Sequence, residues 1–136
     1  MKAIDALYEA QKIVFSPFVF QTVYSMYELG LFEIINEQKE GLTIDEIAEK
    51  SKVSKYGVTV LLEMAEAAEI VEKLEGDKYQ LTKVGYFILR DEMTRVNMMF
   101  TQDVCYEGLY HLKDAISTTS PSGLKVFGDW KTVYEI

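Results

Sequence analysis

Residues 41–89 read GLTIDEIAEKSKVSKYGVTVLLEMAEAAEIVEKLEGDKYQLTKVGYFIL, and the order of signals within them decides the fold. Thr43 followed three residues later by Glu46 is a capping-box start for a helix whose inward face is Ile44, Ile47 and Ala48. Ser54 caps the next helix, where Val58, Leu61, Leu62, Ala65 and Ala68 recur at helical spacing. Alternating apolar residues over 70–74, a Glu75-Gly76-Asp77-Lys78 turn and a returning strand over 79–82 form a hairpin. Thr82 then caps a short helix carrying Gly85, Phe87 and Leu89, which stops at Arg90-Asp91-Glu92. Helix, turn, helix, strand, tight turn and strand make a winged helix-turn-helix with a small β-hairpin wing, and the chain is expected to be mainly α.

A winged helix suggests DNA, but the charge opposes it. The segment from Ser54 to Glu69, placed where a recognition helix lies, carries Lys55 alone against Glu63, Glu66 and Glu69. The whole chain of 136 residues has 22 acidic and 14 basic side chains, a formal charge of −8. Such a field repels phosphate backbones and anionic membranes. A second reading, a dimeric DNA-binding regulator, rests on Lys50, Lys52 and Lys55 around the turn and Lys73, Lys78 and Lys83 near the wing. A third is an interaction module that holds an apolar ligand or a protein between its helices.

Ahead of the winged module, residues 3–15 show a helical stripe of Ala3, Leu7, Ala10 and Val14 flanked by Ile4, Tyr8 and Phe15. Ser16-Pro17 predicts a restart, with Ser16 as cap and Pro17 in the first turn of a second helix running to about Ile35. That helix is apolar on nearly every side. A domain of this length has too little surrounding protein to cover two such helices, so their surplus surface calls for a partner chain, the alternative being that the second helix is the centre of the chain's own core. The candidate interface residues are Leu7, Val14, Phe18, Phe20, Tyr24, Tyr27 and Phe32, and the expected assembly is a homodimer. The organisation is read as 1–40 dimerisation helices, 41–91 winged-helix module and 92–136 long helix with the start of a connection, all one structural domain.

The last long helix is expected over about Thr94 to Ser117, followed by a loop over 118–123 and a further helix beginning with Phe127, Trp130 and Tyr134. That final pattern, interrupted at Ile136, suggests a shortened chain or an isolated domain. The eight glycines form no phosphate-cradling loop, and the lone His111 and lone Cys105 belong to no nucleophile or metal pattern. No export signal or spanning segment is apparent, and a soluble cytoplasmic protein is expected.

The segments ELGLFEII, LTIDEIAEKSKVS, YQLTKVGYFIL, YHLKDAI and GDWKTVYEI, spanning nearly the whole chain, resemble the N-terminal domain of S-adenosylmethionine-dependent O-methyltransferases of the plant phenolic and bacterial polyketide type. YHLKDAI, Tyr110 to Ile116, is the most specific of them. The resemblance implies a platform whose N-terminal helices intertwine with those of a second subunit. It also implies a small aromatic or polyketide-like acceptor, enclosed in part by Met99, Phe100, Thr101, Gln102, Asp103 and Tyr106. S-adenosylmethionine and any catalytic base are expected in a missing second domain, with no cofactor, metal or catalytic residue in these residues and no turnover from them alone.

Overall fold

The computed structural model describes residues 1–132 and 134, which divide into two compact units, 1–91 and 92–136. In the first, α1 (Ala3–Val14) and α2 (Ser16–Glu28) meet at a kink. Pro17 offers no amide there, and the Phe18 and Val19 amides both donate to the Phe15 carbonyl. Ser16 does not cap α2 as its sequence position suggested; its hydroxyl donates back to the Ile13 carbonyl at 2.7 Å.

The continuous helix expected to Ile35 is also interrupted. Gly30, at φ 78°, turns the chain through the left-handed region and begins α3 (Leu31–Asn36). The break is what lets Leu31, Phe32 and Ile35 enter the core. Phe32 is 1% exposed, fully covered by its own chain, and so is no interface residue as proposed from sequence.

The winged module follows its sequence signals closely. Thr43 caps α4 (Ile44–Ser51): its hydroxyl accepts the Glu46 amide at 3.2 Å while its own amide donates to the Glu46 carboxylate at 3.0 Å. Ser54 accepts the Gly57 amide at the start of α5 (Lys55–Ala67), and Thr82 accepts the Gly85 amide at the start of α6 (Lys83–Arg90). The hairpin strands β2 (Val71–Leu74) and β3 (Lys78–Leu81) pair Val71 with Leu81 and Leu74 with Lys78. A third strand, β1 (Leu42–Thr43), pairs antiparallel with β3 through Leu42 and Tyr79, giving the sheet order β1-β3-β2. Met26, Leu31, Phe32, Ile35, Ile47, Val58, Leu62 and Val71 are fully buried and form the core of this unit. A two-pronged ion pair, Arg90 to Glu33 at 2.8 and 3.0 Å, ties α6 to α3.

In the second unit the single long helix expected over 94–117 is divided. It comprises α7 (Glu92–Phe100), a π-helical turn over Thr101–Cys105, α8 (Tyr106–Leu109) and, after a turn at Tyr110 and His111, α9 (Leu112–Thr118). A 3₁₀ turn, Ser122–Val126, comes back across α8 where Gly108 and Gly123 meet. A methyl group on Gly123 would stand 2.8 Å from the Gly108 carbonyl oxygen, so the crossing needs two glycines. The buried Ser122 hydroxyl donates to the Asp114 carboxylate and fixes the return. The helix expected from Phe127 does not form over 127–132, because Gly128 at φ 124° leaves helical space and the Trp130 indole N–H closes onto the Phe127 carbonyl at 3.0 Å. The rest of that expected helix falls largely on positions 133, 135 and 136, which lie outside the described residues.

Thr43→Ala should lower stability in urea by about 1 kcal/mol, the usual cost of losing such a cap. Two hydrogen bonds from Thr43, the backbone amide first, hold the Glu46 carboxyl below its ordinary pKa. A depressed carboxylate stabilises above its unfolded pKa and loses that contribution as pH falls through the folded value. Glu46→Gln should therefore be less stable than the parent at neutral pH, with the difference closing below the ordinary carboxylate range in urea titrations.

Candidate functional site

The sequence of α1 dictates an apolar stripe, and nothing in the described chain covers it. Every residue from 1 to 18 is exposed, and α1 contributes no buried residue. Ile4, Leu7, Tyr8, Val14, Phe15 and, across the kink, Phe18 lie within about a third of the helix circumference by the 100° helical step. These six side chains are between 46% and 70% exposed. Glu9 on the far side pairs at 3.2 Å with Lys12, which flanks the stripe and sets its ammonium over the Tyr8 ring. That hydrogen bond to Glu9 raises the Lys12 pKa. A twelve-residue helix held by such pairs alone is marginal in water.

Of the interface residues expected from sequence, Leu7, Val14 and Phe18 are exposed, whereas Phe20, Tyr24 and Tyr27 on α2 are half-buried. The Phe15 and Phe18 rings are 5.8 Å apart and carry the stripe across the kink. Beyond them α2 and α5 bound an open groove of about 500 Å³, walled by Phe18, Gln21, Thr22 and Ser25 on one side and Val60, Leu61, Glu63, Met64 and Ala67 on the other. From sequence, α5 has Val58, Leu61, Leu62, Ala65 and, at its end, Ala68 as a helical apolar face and only acidity on the rest of it. Its outer face also exposes Tyr56 and Val60 and leads into the groove. The spacing of Tyr56, Val60, Met64 and Ala67 was the available signal, masked by the glutamates between them.

The electrostatics of the winged module do not favour phosphate. Lys55 is paired with Asp45 at 3.1 Å and Lys73 with Asp77 at 3.4 Å, so two of the six lysines that could face DNA already meet carboxylates. Among the described residues no helix is long and apolar enough to cross a membrane, and no cluster of His, Cys, Asp and Glu could hold a metal ion.

The segment expected to face an acceptor overlaps the π-helical turn, which holds Thr101, Gln102 and Asp103, while Met99 and Phe100 end α7 and Tyr106 begins α8. Met99, Thr101, Gln102 and Tyr106 are half-buried, and Phe100 and Asp103 are exposed. The Thr101 hydroxyl donates to the Asn97 carbonyl at 2.7 Å. A π-helical turn joins residues five apart, which brings Thr101 and Tyr106 towards a common side, as the normal helical step does not. Propensity gives no warning of such a turn. Its overlap with this segment is the one local irregularity that marks it.

Residues 8–79 match the Dimerisation2-like domain. The chain belongs to that family. The match begins within α1 and ends in β3, so it contains the kink, the groove and most of the wing. Comparison with curated protein sequences finds no match. Among solved structures, the chain is similar to the S-adenosylmethionine-dependent methyltransferase SibL in its apo form, with a TM-score of 0.73 and 20% identity over 85% of this chain and 34% of that one. Human N-acetylserotonin methyltransferase in complex with S-adenosylmethionine gives 0.71 and 21% over 94% of this chain and 38% of that one. A structure described as a pericyclic reaction enzyme gives 0.72 and 13% over 88% and 30%. This chain thus spans about a third of the length of each, and what it shares with them at such identities is the fold.

Two phenylalanines separate coverage by the chain itself from coverage by a partner. Phe32→Ala should cost about 3–5 kcal/mol in chemical denaturation, as for a large core truncation. Phe18→Ala should leave the stability of a single chain within about 0.5 kcal/mol, as surface changes do, and weaken self-association instead. Denaturation and sedimentation of both variants measure the contrast.

Proposed function

We propose that this chain is the dimerisation and acceptor-enclosing part of an S-adenosylmethionine-dependent O-methyltransferase, and that it acts as a homodimer in the cytoplasm. The observation that carries this reading is the uncovered stripe on α1 in a chain of the Dimerisation2-like family. Membership supplies the role, and the stripe supplies the surface for it. The methyltransferases among the fold relatives support the class of reaction.

In this reading residues 1–91 hold two subunits together through an interface of about 2,000 Å², the size usual for obligate apolar contacts. Residues 92–132 supply one wall of an acceptor pocket, with Met99, Phe100, Thr101, Gln102, Asp103 and Tyr106 facing a small aromatic or polyketide-like molecule. Their contribution to catalysis is shape: they exclude water and hold the acceptor oxygen in line for methyl transfer. S-adenosylmethionine and the base that takes the acceptor proton belong to a second domain outside these residues. The fold alone serves more than one chemistry, since a pericyclic enzyme is among the fold relatives, and the support for methyl transfer is the family together with the methyltransferases.

Calorimetric titration of the 136-residue chain with S-adenosylmethionine should give no heat beyond dilution, and micromolar binding would overturn the division of labour proposed here. Duplex DNA at low salt should not be retarded by the chain. A salt-dependent shift would favour the regulator reading instead.

A further inference from the structure

We propose that Ser122 and Gly123, in the segment that returns across α8, are positioning residues for the acceptor wall: they fix the helical register of α8 and so retain the π-helical turn that brings Thr101 and Tyr106 towards one side. The use of that wall rests on the acceptor reading above, whereas the coupling itself lies within residues 92–132.

A π-helical turn holds one residue more than an α turn, and closing it into a regular helix would rotate α8 by about 100° and move it by about 1.5 Å along the axis. Thr101 and Tyr106 would then lie roughly 140° apart. The local sequence does not impose the irregularity: residues 92–109 contain no proline, and their one glycine, Gly108, lies beyond the turn. What holds the extra residue in place must act on α8 from outside.

The crossing of Gly108 and Gly123 does so. A Cβ on Gly123 would stand 2.8 Å from the Gly108 carbonyl oxygen, and one on Gly108 would stand 3.0 Å from that of Gly123. One helical step to either side, α8 offers Glu107 or Leu109 instead. Neither side chain fits where a methyl group does not, so the crossing admits the register that keeps the π turn and no neighbouring one.

The returning segment is firmly held in its turn. Ser122 is 3% exposed and its hydroxyl donates to the Asp114 carboxylate of α9. The Ser120 hydroxyl lies 3.1 Å from that of Ser122 and 2.9 Å from that of Thr118, which donates to the Asp114 carbonyl at 2.7 Å. Where the chain leaves α9, Thr119 sits at φ 53°, a region that β-branched residues rarely enter. Such a conformation persists only where its surroundings over-determine it. Ser122 thus anchors the segment to α9, Gly123 sets it against α8, and α8 takes the one register left to it.

The test reads hydrogen-bond partners directly. In the isotope-labelled 136-residue chain, couplings across hydrogen bonds show whether the Tyr106 amide bonds five residues back, to the Thr101 carbonyl, or four back, to that of Gln102. The parent should show Thr101. Ser122→Ala and Asp114→Ala should lose that coupling and gain the one to Gln102, while Asp114→Asn, which keeps an oxygen for the Ser122 hydroxyl, should retain Thr101. Gly123→Ala, which forces the crossing apart, should also shift to Gln102. Unmoved signals from residues 19–91 check that the rest of the chain stays folded. Retention of the Thr101 coupling in Gly123→Ala and Ser122→Ala would overturn the proposal, and so would loss of both couplings in every variant, since the wall would then melt rather than change register. No acceptor enters the measurement, so its failure strikes the coupling alone, and a failure of the acceptor reading would leave the register result as it is.

Discussion

An amphipathic helix with nothing to cover it is the constraint on which the rest of this structure depends. The first eighteen residues are exposed throughout, yet they include a stripe of large apolar side chains on a helix too short to persist in water unaided. Burial of such side chains is worth about 1.5–3 kcal/mol each, far more than the Glu9–Lys12 pair can return. The free energy that orders α1 must therefore come from another surface. Residues 19–91, by contrast, contain their own core, with Phe32, Met26 and Ile47 fully enclosed.

On the proposed reading, that division lets a winged helix serve as a platform rather than as a DNA reader. The caps on α4, α5 and α6 and the three-stranded sheet make a rigid body, and rigidity is what a platform needs as much as a DNA reader does. What differs is the outer face of α5. Here it joins glutamates to apolar residues beside a groove, and the lysines at Lys55 and Lys73 already have carboxylate partners. The fold is common property, whereas the surface chemistry decides its use.

Much of this was legible in the sequence, because caps and periodicity are local. Thr43, Ser54 and Thr82 each sit where their side chains satisfy helix-start amides, and the structure has all three bonds. The misses are of another kind. Gly30 stood inside a largely apolar, helix-like stretch, and only the need to turn Phe32 inward distinguishes a break from a tolerated glycine. Strand β1 is two residues long and exists only because β3 lies beside it, a pairing that no local pattern encodes. The π-helical turn at Thr101–Cys105 and the Gly108–Gly123 crossing likewise depend on tertiary packing rather than propensity. For the candidate site, the stripe through Leu7, Val14 and Phe18 could be read directly, but the groove could not, since its two walls are more than thirty residues apart in sequence.

Amide hydrogen exchange across residues 3–14, followed as a function of protein concentration, tests most directly whether a second copy covers α1. Protection should rise with concentration in step with dimer formation and fade in dilute samples, while the buried amides around Phe32 and Leu62 stay protected throughout. Firm protection of α1 in a species that sediments as a monomer would contradict it.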